Sequence, residues 1–62
     1  MTLKEFLWKF TGQTKVYIAC RGQELYRGSV AEWCSNKVEE QGDLELMAAE
    51  VYDLAELDVI VK

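Results

Sequence analysis

Cys20 and Cys34 are the only thiols in a 62-residue chain that contains no histidine. A Cys–His or Ser–His pair is therefore unavailable. So are zinc sets of the usual spacing, which draw on CxxC pairs and histidines. Cys34 falls several residues inside an expected helix, where the helix start does little to activate a thiol. The expectation is two free, buried thiols in a reducing compartment. A Cys20–Cys34 disulfide stays open if their elements face each other. Glycines 12, 22, 28 and 42 form neither a GxGxxG nor a GxxxxGK phosphate loop. Glu39 and Glu40 are adjacent, but in an acidic surface segment such carboxylates are solvated. Asp43 and Glu45 lack the spacing and central glycine of a calcium loop. These residue types point away from an enzyme, and neither a cofactor nor a metal is expected.

Charge divides the chain. From Met1 to Lys37, six Lys/Arg stand against three acids; from Val38 to Lys62, one Lys stands against eight acids. Lys15, Arg21, Arg27 and Lys37, with Tyr17 and Tyr26, have the makings of a basic, aromatic strand face. The acidic half repels phosphate, so nucleic acid is a poor partner. A carboxylate-rich segment suits another protein instead, because charge complementarity speeds association and selects partners. Glu39, Glu40, Asp43 and Glu45 are the steering candidates, although acids also serve simply to keep a small protein dissolved. Trp8, Tyr17, Tyr26 and Arg27 are the candidate contact residues, since aromatics and Arg dominate binding energy in interfaces.

These side chains need elements to hold them. Thr2-Leu3-Lys4-Glu5 is a capping box that opens a short helix over Thr2–Phe10. Leu3, Phe6, Leu7 and Phe10 form its apolar stripe, and Gly12 is placed to end it. Trp8 lies off that stripe. Lys15 to Val30 reads as a hairpin, because Val16, Tyr17, Ile18, Leu25 and Tyr26 suit a pleated surface around Gly22. Two registers compete. A Gly22-Gln23 loop pairs Cys20 with Leu25 and sets Arg27 opposite Ile18. A loop over Arg21 to Gln23 pairs Ile18 with Tyr26 and leaves Tyr17 opposite Arg27 on the outer face. The second is preferred, because burying an arginine costs more than an imperfect turn.

Ser29-Val30-Ala31-Glu32 is a second capping box, starting a helix to Asn36 or beyond. Val30, Trp33 and Cys34 share one face of that helix. Val38 to Gly42 reads as a loop or fraying end. Leu44 to Ala48 reads as a turn or helical piece, and Val51 to Val61 as one strand, bent near Leu54–Glu56. Alternation through Val51, Ala55, Leu57, Val59 and Val61 favours the strand over a helical seam through Leu44, Met47, Val51 and Leu54.

The expected fold is therefore α+β, one domain over residues 1–62. A small antiparallel sheet, the hairpin plus the C-terminal strand, packs with two short helices. The expected core is Leu3, Phe6, Leu7, Phe10, Val16, Ile18, Trp33, Val51, Val59 and Val61. A chain this short sits near the lower limit for an unstapled core. With two open sheet edges, homo-oligomerisation is the alternative to a foreign partner. No apolar run reaches membrane-span length and no secretory pattern follows Met1, so a cytoplasmic protein is expected.

The segments MTLKEFLWKF, TKVYIACRGQELYRGSV and AEVYDLAELDVIVK together resemble a group of small, uncharacterised proteins of Firmicutes bacteria and their phages or prophages. Members open on an LKEFL-type helix, continue into a TKV-led hairpin with a YxG segment, and close on an IxV strand. The chain differs at Ala55-Glu56-Leu57, where the group usually has a fuller turn. The resemblance implies a phage- or prophage-borne accessory protein, a setting in which small proteins often bind host proteins and some inhibit defence systems. It assigns no functional residue.

Overall fold

Thr2 caps the first helix as its capping box predicts. In the computed structural model, which describes residues 1–53 and 55–62, α1 spans Leu3–Leu7. The Glu5 amide donates to Thr2 Oγ1, and Glu5 Oε1 accepts from the Thr2 amide at 2.9 Å. The helix is shorter than the expected Thr2–Phe10. Beyond Trp8 the amides of Lys9 and Phe10 reach back only three residues, to the carbonyls of Phe6 and Leu7. Gly12 lies farther along, where its carbonyl accepts from Ala31 and an added Cβ would crowd the Ala31 methyl at 3.0 Å.

Strands β1 (Lys15–Cys20) and β2 (Gln23–Ser29) form the hairpin. Ile18 pairs with Tyr26, Val16 with Gly28 and Tyr17 with Arg27, the preferred register. The loop that produces it is neither of the two expected. Cys20 pairs with Gln23, so only Arg21 and Gly22 turn the chain, at φ 53 and φ 81. Positive φ at both central residues is the requirement of a type I′ turn. The register then slips between Ile18 and Ala19, because Leu25 is an extra residue in β2. A tight turn plus a one-residue bulge thus reaches the pairing that a three-residue loop was expected to give.

Helix α2 runs over Val30–Asn36, with Ser29 Oγ accepting from the Glu32 amide at 3.2 Å. Helix α3 (Val38–Gln41) follows, where a loop was expected. Its end is fixed by Gly42, whose backbone lies so close to the Val38 carbonyl that a Cβ would not fit. The Gly42 carbonyl accepts from the Lys4 amide at 3.0 Å, which ties α3 to α1.

The C-terminal segment is a hairpin rather than one strand: β3 spans Leu46–Asp53 and β4 spans Glu56–Val61. Leu54, expected at a bend, lies outside the described residues. The reversal contains neither Gly nor Pro. Asp53 supplies the turn chemistry instead, its Oδ1 accepting from the Ala55 amide at 2.6 Å. Leu46 to Ala48, expected as a turn or helical piece, belongs to β3.

Among the described residues, four strands and three short helices form an α+β domain, with sheet order β2-β1-β4-β3. The sheet is mixed rather than wholly antiparallel. β4 lies parallel to β1, pairing Val16 with Leu57, Ile18 with Val59 and Cys20 with Val61. Those two central strands supply Val16, Ile18, Leu57, Val59 and Val61 to the core, where they meet Leu3, Leu7, Val30 and Trp33. Phe6 and Phe10 pack at the core's margin, with ring centroids 5.2 Å apart. Val51, expected in the core, is 51% exposed. It sits opposite Leu57, on the correct side of the sheet, but β3 is an edge strand beyond the reach of the helices.

Candidate functional site

The helices cover one face of the sheet and leave the other open. On the open face the cross-strand pairs line up in three rows. Arg27, Tyr17, Asp58 and Glu50 form the middle row. Glu24, Ala19, Ile60 and Ala48 lie on one side of it, and Ser29, Lys15, Glu56 and Asp53 on the other. Each row reads from β2 across β1 and β4 to β3. The cations Arg27 and Lys15 therefore stand on the β2–β1 half. The carboxylates Asp58, Glu50, Glu56 and Asp53 stand on the β4–β3 half. Ala19, Ile60 and Ala48 make an apolar band along one side of the middle row, with Ile60 47% exposed.

Contacts hold the middle row in place. The Arg27 guanidinium lies over the Tyr17 ring, 4.8 Å from its centroid, and Arg27 Nε donates to Glu24 Oε1 at 3.0 Å. Across the row, Tyr52 donates from its hydroxyl to Asp58 Oδ2 at 2.8 Å. That bond is broken if the phenol ionises, and it pushes the Tyr52 hydroxyl up to about 12. A shallow basin of about 500 Å³ opens between Lys15, Tyr17, Arg27, Glu56 and Asp58. A second, of about 420 Å³, lies over Ala19, Ile60, Ala48 and Glu50.

The edge strand β3 is a separate surface. Apart from Leu46 it is exposed along its length, with Met47 at 60% and Tyr52 at 56%. Its first residue, Leu46, and Leu44 and Glu45 just before it are already paired on the outer side. Thr2 bridges Glu45 in antiparallel fashion, the Leu46 amide donates to the Met1 carbonyl, and the Leu3 amide donates to the Leu44 carbonyl. Beyond Leu46, no strand among the described residues covers that edge. Register shifts at Met47 and Tyr52 bound a regular stretch, Ala48–Val51.

The expected binding residues are not brought together. Tyr17 and Arg27 share the open face. Tyr26 faces the helices, half-buried, and its hydroxyl donates to the Ser29 carbonyl at 2.8 Å. Its hydroxyl is thus engaged within the chain. Trp8 is 61% exposed at the end of α1. Glu39 and Glu40 lie on α3, in the helix layer, and Glu40 meets Lys37 at 3.5 Å. Asp43 pairs with Lys4 at 3.0 Å, and Glu45 with the N-terminal ammonium at 3.4 Å. Those two acids fasten the chain's beginning to the start of β3. The acids of the open face, Glu24, Glu50, Asp53, Glu56 and Asp58, are absent from the expected set. The alternation that placed Leu57, Val59 and Val61 inside also placed Glu56 and Asp58 outside, so part of this signal was present.

Cys20 and Cys34 are free and half-buried rather than fully buried. Among the described residues, no group of three or more His, Cys, Asp or Glu side chains is placed to hold a metal ion. No helix of the described residues is long and apolar enough to cross a membrane. No protein-family model, curated protein or solved structure matches the chain.

Proposed function

We propose that this chain is a non-catalytic protein-binding module that takes an extended segment of another protein onto the free edge of β3. The observation that carries this reading is the exposure of Met47, Val51 and Tyr52 on an edge strand with no covering element among the described residues. An edge strand offers a row of backbone donors and acceptors, and apolar side chains beside it give an added strand something to bury. The chain's own Met1–Leu3 segment already uses the first part of this edge in that way. The bulges at Met47 and Tyr52 limit the added strand to about four regular residues, since bulges interrupt edge pairing. Glu50 and Asp53 beside that stretch favour a segment that carries Lys or Arg among apolar residues.

Set beside the resemblance to phage and prophage proteins, the reading is of a cytoplasmic accessory protein that captures and thereby inhibits a host protein. The test is capture from host lysate with wild type, with Met47→Lys/Val51→Lys, and with Lys15→Glu on the open face. A protein retained by wild type and Lys15→Glu but lost by the edge variant supports the edge. On the reconstituted complex, hydrogen exchange should slow at Ala48–Val51. Unchanged exchange there would reject the edge as the docking site.

A further inference from the structure

Apart from Glu24, which already pairs with Arg27 at 3.0 Å, the charges on the open face are positive on the β2–β1 half and negative on the β4–β3 half, and that pattern is complementary to itself. Consider two copies facing each other about a two-fold axis that runs along the strands, between β1 and β4. The operation places β2 over the partner copy's β3 and β1 over its β4, while each row stays opposite the same row. Arg27 then faces the second copy's Glu50, Lys15 faces Glu56, Tyr17 faces Asp58, and Ala19 faces Ile60. Every cation meets a carboxylate, Ala19 and Ile60 of the apolar band meet each other, Glu24 faces Ala48, and no like charges stand opposite. A two-fold axis across the strands instead sets the Arg27–Lys15 half against its own copy, and the carboxylates against carboxylates. Charge thus selects one of the two symmetric ways of stacking these faces.

We infer that the open face is the contact between two copies of this chain, stacked sheet on sheet with Arg27 over Glu50 and Lys15 over Glu56. The inference does not depend on the β3 edge, which stays accessible in such a dimer. Aligned sheets pack face to face in this manner at a separation of about 10 Å. Four strands at about 4.8 Å spacing and six residues at about 3.3 Å rise give a face of roughly 19 by 20 Å. Two such faces cover roughly 760 Å² in all, below the range of stable specific complexes and in the weak, transient class. The dimer is therefore concentration-dependent. Its charge pairs lie close to solvent, so added salt weakens it.

Light scattering after gel filtration, over a concentration series, reads the mass directly. Wild type should move from monomer to dimer. Lys15→Glu/Arg27→Glu should raise the dissociation constant by about tenfold or more, because like charges then meet across the contact. Glu50→Lys/Glu56→Lys should do the same. Mixed in equal amounts, these two variants should restore the dimer, as each then presents what the other lacks. All these positions lie on the uncovered face, and circular dichroism should show both variants folded. The inference is overturned if wild type stays monomeric throughout, if its dimer survives both reversals, or if the mixture fails to associate. Survival of the dimer would move the contact to another surface, such as the β3 edge.

Discussion

Trp33 Nε1 donates a 2.9 Å hydrogen bond to Gln41 Oε1 inside the core. The indole is fully buried and the amide nearly so, at 9% exposure. Gln41 also turns its amide nitrogen to the Leu25 carbonyl at the hairpin bulge, at 3.4 Å. One glutamine on α3 thereby satisfies the core tryptophan and reaches the irregular point of β2. It explains why a four-residue helix of polar sequence folds down onto the sheet. Gln41→Leu keeps the bulk and removes the acceptor. It should cost about 1–3 kcal/mol, the usual penalty for stranding a buried donor. Urea unfolding followed by Trp fluorescence measures it. A loss below a few tenths of a kcal/mol would show that the bond is dispensable.

Gly28 makes room for Tyr26. A Cβ at position 28 would lie 2.7 Å from the Tyr26 hydroxyl, closer than real Cβ contacts come. Gly28→Ala should destabilise by about 1–3 kcal/mol, the range for overpacking. Tyr26→Phe forfeits the bond to the Ser29 carbonyl, yet it should recover part of the Gly28→Ala loss when the two are combined. Strictly additive losses in that double-mutant cycle would contradict the steric account.

The hairpin turn places Arg21 at φ 53, a conformation that costs most L-residues. Arg21→Asn supplies the residue type that Asn-Gly type I′ turns prefer. It should stabilise the protein by roughly 0.5–1 kcal/mol, visible as a higher thermal midpoint. An unchanged or lowered midpoint would mean that Arg21 makes a compensating contact elsewhere.

Tyr52 titrates late, at about 12, chiefly because its hydroxyl donates to Asp58. Tyr26 is also pushed up, mainly by burial. A raised folded-state value means that the Tyr52 bond is fully present below the ordinary tyrosine range and is lost as the pH climbs through about 12. In an alkaline absorbance titration, Asp58→Asn should bring one phenol back toward the ordinary value and leave Tyr26 where it was. If no phenol moves, the Tyr52–Asp58 bond does not form in solution.

Glu5 runs the other way. The Thr2 amide, and then the Thr2 hydroxyl, hold its carboxyl below the ordinary glutamate range. A lowered folded-state value favours the folded protein above that range and loses the contribution as the pH falls through the lowered value. Glu5→Gln should therefore flatten the acid side of the stability–pH curve while leaving helix α1 capped. The comparison needs only thermal midpoints at a series of acidic pH values, and equal slopes would rule out the box as their source.

Local features were legible in the chain itself. Thr2 and Ser29 announce their helices because capping needs only a side-chain oxygen and a nearby amide. Ile18 finds Tyr26 because one side of the ribbon must be apolar. The parity of Leu57, Val59 and Val61 marks the face that is buried. The C-terminal reversal was hidden, since Asp53 replaces the usual Gly or Pro and its single break in the apolar alternation reads as a bend in one strand rather than a turn between two. α3 was hidden as well, because its reason for folding, the Gln41–Trp33 bond, joins residues from two helices. What no local pattern can state is which strands become neighbours. The insertion of β4 beside β1, parallel to it, is decided only when the apolar sides of both hairpins are covered together by the helices. That choice places Arg27, Tyr17, Asp58 and Glu50 in one row, leaves Val51 uncovered at the edge, and sends Glu39 and Glu40 to the helix layer. Pairing order is set by burial summed over the whole molecule, and a stretch of sequence carries only its own share of that sum.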